Sequence, residues 1–128
     1  MAETVERSSP GKVHILVVED DSACREALGQ VLQREGYGVS LTADFREALE
    51  ILDSDQQVDL MLADIVMPDR VNGIALSRMA RLRRRDLKVV YMTGYSIPGA
   101  DREALGPILR KPIDEKVLID EVANILAA

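Results

Sequence analysis

Five side chains in this sequence could do chemistry together: Glu19, Asp20, Asp64, Thr93 and Lys111. Each stands just past a short apolar run. Val13 to Val18 leads into Glu19-Asp20-Asp21, Val58 to Ala63 into Asp64, Leu87 to Met92 into Thr93-Gly94, and Pro107 to Arg110 into Lys111-Pro112. Gathered in one crevice they would supply three carboxylates, one hydroxyl and one ammonium. Clustered acids repel and raise one another's pKa, so the set is costly without a cation. Mg²⁺ suits it, because that ion takes oxygen ligands, few carboxylates and several retained waters. A carboxylate is a competent nucleophile toward phosphorus. Phosphoryl transfer then needs mainly positioning and charge neutralisation. Mg²⁺ and Lys111 would neutralise phosphoryl oxygens, and Thr93 would donate a hydrogen bond.

Only a fold can bring these residues together, since up to 92 positions separate them. The run from Val13 to Val18 is nearly continuous and rich in β-branched residues, as expected of a strand buried on both faces of a parallel sheet. Ser22 to Glu35 repeats apolar residues at helical spacing, with Asp21 or Ser22 as its N-cap and Gly36 as its stop. Val39 to Leu41 reads as a second strand, Ala43 to Leu52 as a helix, Val58 to Ala63 as a third strand and Gly73 to Arg84 as a third helix. Leu87 to Met92 is a fourth strand and Pro107 to Arg110 a short fifth. Between them Pro98, Gly99 and Gly106 leave room only for a short or irregular helix near Asp101 to Leu105. Asp114 to Leu126 closes the chain as a helix. Strands alternate with helices throughout, which predicts an α/β fold: a doubly wound, open, five-stranded parallel sheet with flanking helices. In such sheets ligands bind beyond the carboxyl ends of the strands, where the five side chains would lie.

Composition narrows the function. The 128 residues suit one domain, with 1–11 read as a loose leader and 12–128 as the folded unit. A net charge of −6 argues against direct nucleic-acid binding by the whole domain. Aromatics are 3%, so the core must be aliphatic. Cys24 is the sole cysteine and can form no internal disulfide, which suits a reducing cytoplasm. No run approaches the length of a membrane span. His14 reads as structural, and the basic run Arg78, Arg81, Arg83, Arg84, Arg85 and Lys88 as a solvated helix end.

Val17-Val18-Glu19-Asp20-Asp21, Asp64-Ile65-Val66-Met67-Pro68, Thr93-Gly94 and Lys111-Pro112 together resemble the receiver domains of bacterial two-component response regulators. The likeness runs from about Val13 to Leu126. It implies a flavodoxin-like sheet of strand order 2-1-3-4-5. Asp64 would be the phosphorylated residue, acting with Lys111 and Thr93. Asp20 would bind Mg²⁺ directly and Glu19 through a water, with Asp64 and the backbone carbonyl of Val66 completing the protein ligands. Asp21 is a rival for the acidic pair, but falls where a helix cap is wanted. Lys111-Pro112 resembles a family peptide bond that is typically cis. The implied donor is a sensor histidine kinase or a histidine phosphotransfer protein, docking near Ser22, Ala23, Arg25 and Pro112-Ile113. The implied setting is a cytoplasmic monomer or weak dimer, without a membrane partner.

The sequence departs from the family pattern in places. Ile108 stands where the fifth strand usually carries an aromatic, so the coupling of Thr93 to an aromatic rotamer is not expected. The short stretch from Thr93 to Lys111, with Thr93-Gly94-Tyr95, resembles receivers of hybrid histidine kinases or stand-alone receivers. The segment Asp69 to Gly73 is one residue longer than usual. Val66 and Tyr95 flank the phosphorylation position, and an apolar residue and a ring there imply a phosphate lasting minutes or longer. A Mg²⁺-dependent phosphatase would share the Asp nucleophile, but it needs a general acid where Val66 stands, and no cap domain is expected within these residues. A domain that kept only the fold would generally have lost an acid or the lysine.

Overall fold

The computed structural model describes residues 12–66, 72–95 and 106–128. Expectations about the leader, Met67-Pro68, most of the lengthened Asp69 to Gly73 segment and a helix near Asp101 lie outside those residues. The described elements are β1 (His14–Val18), α1 (Ser22–Arg34), β2 (Gly38–Thr42), α2 (Phe45–Leu52), β3 (Leu60–Asp64), α3 (Gly73–Arg83), β4 (Lys88–Thr93), β5 (Ile108–Arg110) and α4 (Glu115–Ala127). All strand pairs are parallel and the order is β2-β1-β3-β4-β5, as the resemblance implied.

The continuous apolar strands follow from burial on both faces. Side chains alternate across a strand. Ile15 and Val17 therefore join Leu28, Leu32, Leu118 and Val122 of α1 and α4, with Leu60, Leu62, Val90 and Met92. Leu16 and Val18 join Ala48 and Leu52 of α2 and Leu76 and Ala80 of α3, with Met61, Ala63, Val89 and Tyr91. The described helices thus cover both faces of the sheet, which is what doubly wound means. On the α3 side the Tyr91 and Ser77 hydroxyls hydrogen-bond at 2.6 Å, so both polar groups are satisfied inside the core.

Element ends moved for identifiable reasons. The second helix begins at Phe45 rather than Ala43, because Asp44 caps it by accepting from the Glu47 N–H at 2.9 Å, while the Glu47 carboxylate accepts from the Ala43 N–H at 2.8 Å. Asp114 and Asn72 cap α4 and α3 in the same way. Asp21 holds the cap position of α1, yet its side chain makes no capping bond. The Glu19 carboxylate instead accepts the Asp21 N–H, at 3.1 Å. Gly36 ends α1 as expected, with φ 94° in the left-handed region that favours glycine. Asp64 is the last residue of β3 rather than the first beyond it.

His14 is structural. It is fully buried at the start of β1, the end of the sheet away from Asp64, and its Nε2 lies 3.1 Å from both Ser40 Oγ and Gln56 Nε2. Members of the basic run also serve the fold, Lys88 by donating to the Ile125 and Ala128 carbonyls at 2.9 and 2.8 Å. Arg83 pairs with Asp53 at 2.6 Å, and Arg84 donates to the carbonyls of Leu52 and Ser54 at 3.0 and 2.9 Å. Together they tie the end of α3 to the end of α2.

Candidate functional site

The site grows from the strand order. The chain leaves β1 for β2 on one side and returns to β3 on the other, so a crevice opens where the strand order reverses. Glu19 and Asp20 follow β1 directly, and Asp64 ends β3 beside them. Carboxylate oxygens of Glu19, Asp20 and Asp64 all lie within 4.8 Å of one another. Across the sheet, Asp64 pairs in register with Met92, so Thr93 sits one residue farther along β4. Lys111 follows β5, and its N–H donates to the Thr93 carbonyl at 2.8 Å. The peptide bond from Lys111 to Pro112 is cis, as the resemblance implied.

Lys111 joins the acids. Its Nζ lies 2.6 Å from Asp64 Oδ2 and 2.5 Å from Glu19 Oε1. Asp64 Oδ1 accepts the Val66 N–H at 3.0 Å, which orients the carboxylate. Glu19 is fully buried and Asp64 nearly so, whereas Asp20 is exposed. Thr93 is buried, and its Oγ1 accepts the Tyr95 N–H at 3.1 Å.

The electrostatics follow from this packing. Burial pushes the Glu19 carboxyl above its ordinary range, and the nearby Asp64 charge adds to that, against the bonds from Lys111 and the Asp21 N–H. Burial opposes the charge on Lys111, but hydrogen bonds to Asp64 and Glu19 outweigh it and hold the ammonium above the usual lysine range. Three ionised carboxylates against one ammonium would leave two uncompensated negative charges. A divalent cation matches that excess, and the donors are all hard oxygens of the kind Mg²⁺ prefers.

The other sequence candidates fall into place around this centre. Ile108 pairs with Tyr91 in the β4–β5 ladder and packs against the α2–α3 side of the core. Val66 and Tyr95 are both well exposed at the rim. Cys24 lies on α1, and burial pushes its thiol up to about 11, with the Glu19 charge adding to the effect. That makes it a poor nucleophile near neutral pH.

One residue of the site was missed as such. Gly73 reads in sequence as a helix start, but in space it lies against the Asp64 backbone. A Cβ built on it would collide with the Asp64 carbonyl oxygen and lie 2.9 Å from the Asp64 carbonyl carbon and 3.1 Å from Ile65 Cα. The Gly73 N–H also donates to the Ile65 carbonyl at 2.9 Å. Local pattern carries no signal for this contact, because the contact depends on how α3 returns to β3.

Comparison with known proteins agrees with the geometry. The family model of the response regulator receiver domain matches residues 15–123. The response regulator receiver protein CpdR of Brucella abortus (strain 2308) is 34% identical over 118 residues, covering 89% of this chain and 97% of that protein. The sensor kinase CckA of the same strain is 34% identical over 121 residues, or 91% of this chain but 13% of the kinase. A CheY-like receiver domain structure from Methanospirillum hungatei JF-1 superposes with a TM-score of 0.82 at 28% identity, covering 91% of this chain and 95% of that one. With an acidic cluster, a bridging lysine and a β2-β1-β3-β4-β5 sheet behind it, the match over most of its length shows that this chain belongs to the response regulator receiver domain family.

Proposed function

We propose that residues 12–128 form a receiver domain that takes a phosphoryl group from a phosphohistidine donor onto Asp64 in a Mg²⁺-dependent reaction, and that the phosphate shifts its conformation toward a state read by a partner. The observation that carries this reading is the Lys111 ammonium held between Asp64 and Glu19, at 2.6 and 2.5 Å, with Asp20 beside them. A carboxylate meant only to cap a strand would need neither a second buried acid nor a cation aimed at it.

Asp64 acts as the nucleophile. One of its carboxylate oxygens forms a bond to phosphorus as the P–N bond of the donor breaks. The electron pair passes to the imidazole nitrogen, which then takes a proton from solvent. The Val66 N–H holds Oδ1, so the carboxylate cannot swing freely. Lys111 already contacts Oδ2 and would stay with the phosphoryl oxygens as charge moves onto them. Asp20, Glu19, Asp64 and the Val66 carbonyl are the groups that would hold Mg²⁺, and the ion would neutralise phosphoryl oxygens there. Thr93 would exchange its bond from the Tyr95 N–H for one that its hydroxyl donates to the phosphate. That exchange is the local event of the switch, a population shift between two states of the domain. With Ile108 in place of an aromatic, the shift would be carried without a ring rotation.

The donor would be a sensor histidine kinase or a histidine phosphotransfer protein, meeting the domain in the cytoplasm. Among the described residues no helix is long and apolar enough to cross a membrane. Incubation with Mg²⁺ and acetyl phosphate, followed by intact mass, tests the reading. One phosphoryl group should be added to the wild type, and none to Asp64→Asn or to wild type in EDTA. If neither acetyl phosphate nor a phosphorylated histidine kinase labels the protein, or if Asp64→Asn labels equally, the reading fails.

A further inference from the structure

Asp20 presents a puzzle within the acidic cluster. Lys111 ties Glu19 and Asp64 in place, and the Asp21 and Val66 N–H groups hold those two carboxylates a second time. The Asp20 side chain is exposed and has no hydrogen bond or ion pair among the described residues. Its position therefore depends on its backbone.

That backbone is clamped from α1. Arg25 Nη1 donates to the Glu19 carbonyl at 2.8 Å and to the Asp20 carbonyl at 3.2 Å. These are two successive carbonyls, at the point where the chain has left the β1 ladder and not yet entered the helix. The first bond of the helix itself starts one residue later, from the Arg25 N–H to the Asp21 carbonyl at 2.9 Å. Arg25 therefore holds the turn through its main chain and its side chain at once. With the planes of two adjacent peptides fixed, the direction of the Asp20 Cα–Cβ bond is fixed as well.

We infer that Arg25 is a positioning residue for the cation site: by holding the Glu19 and Asp20 carbonyls it aims the otherwise untethered Asp20 carboxylate at the crevice. The inference rests on the Mg²⁺ reading above and extends it to a residue that touches neither the ion nor the phosphate. Groups that orient metal ligands from behind typically change metal affinity about 10–100-fold when removed.

The sign of the effect separates this role from its alternatives. A positively charged neighbour that acted only through its field would repel Mg²⁺, so removing it would tighten binding. A residue that only stabilised the helix would lower the unfolding temperature and leave the affinity alone. A positioning residue, once removed, weakens binding while the metal-free protein keeps most of its stability.

The test is calorimetric titration of Mg²⁺ into wild type and Arg25→Met, which keeps an apolar stem and loses the donors, with thermal unfolding of both in EDTA. Neither measurement involves a phosphodonor, so any docking role of α1 does not enter. Mg²⁺ should bind Arg25→Met about tenfold more weakly. Arg25→Lys, which keeps a donor and the charge, should recover part of the loss. Arg25→Gln, too short to reach the carbonyls, serves in place of Met if that variant fails to fold. Binding by the neutral variants that equals or exceeds wild type overturns the positioning role and leaves the Mg²⁺ reading standing. Wild type that shows no saturable Mg²⁺ binding overturns both.

Discussion

Replacing Lys111 with Met removes the cation shared by two buried acids. In the wild type the ammonium lies 2.5 Å from a Glu19 side chain that is 1% exposed and 2.6 Å from an Asp64 side chain that is 7% exposed, while the lysine itself is 23% exposed. Removing one partner of a buried ion pair costs about 3–5 kcal/mol, because the remaining charge stays desolvated. The partial exposure of Lys111 favours the lower end, about 3 kcal/mol, since water can reach part of the space that it leaves. For a domain of this size that is a fall in Tm of roughly 10 °C.

The deficit should depend on pH. Without the lysine, burial of Glu19 and the neighbouring Asp64 charge both raise a carboxylate pKa, with less to oppose them. A carboxyl whose folded pKa exceeds its unfolded value favours the folded state below the unfolded pKa, and that contribution is lost as pH rises through the folded one. The variant should therefore sit closest to wild type near pH 5 and lose most near pH 8. Under the proposed Mg²⁺ binding the ion would replace the missing charge, so it should raise the Tm of Lys111→Met by more than it raises that of wild type. Thermal unfolding monitored by circular dichroism, at both pH values with EDTA and with Mg²⁺, reads all of this. Equal Tm values for the two proteins in EDTA at pH 8 would refute the reasoning, as would an Mg²⁺ effect no larger in the variant.

Three further outcomes are expected. Gly73→Ala would force the new Cβ against the Asp64 backbone, so it should cost about 1–3 kcal/mol in denaturant unfolding and slow labelling by acetyl phosphate; unchanged labelling would show that α3 can shift freely. Val66→Asn places an amide that can orient water beside Asp64, the proposed phosphorylation position, so the phosphorylated form should decay several-fold faster, read by intact mass over time; an unchanged lifetime would count against Val66 as a control on hydrolysis. Ser77→Ala leaves the buried Tyr91 hydroxyl without its 2.6 Å partner and should destabilise by about 1–3 kcal/mol, whereas pairing it with Tyr91→Phe should cost less than the sum of the single changes; strict additivity would deny the pair its coupling.

Local pattern determined a large part of this protein. Val13 to Val18, Val58 to Ala63 and Leu87 to Met92 announce buried parallel strands because a strand covered on both faces needs apolar residues at every position, and such runs stand out without knowledge of their neighbours. The acids, hydroxyl and lysine at their ends were legible for the same reason: a parallel sheet puts all carboxyl ends on one side, so strand-end residues far apart in sequence must share a crevice. Chemistry did the rest, since three carboxylates and one ammonium admit few uses.

What sequence could not supply was decided by contacts between elements. The start of the second helix moved because the Asp44 side chain accepts a cap bond from the Glu47 N–H, which outcompeted apolar spacing. Asp21 occupies a cap position without capping, and its N–H is bonded by the Glu19 carboxylate. Gly73 reads as an ordinary helix start until α3 is folded back onto β3, and Arg25 reads as a residue near the donor's docking contact until its guanidinium meets the two carbonyls behind the acidic pair. In the sequence the identities of Glu19, Asp20, Asp64, Thr93 and Lys111 state which groups are present. The tertiary structure decides which of those groups are held and by what, because apolar periodicity records burial, whereas hydrogen bonds between distant segments leave no periodic trace in the chain.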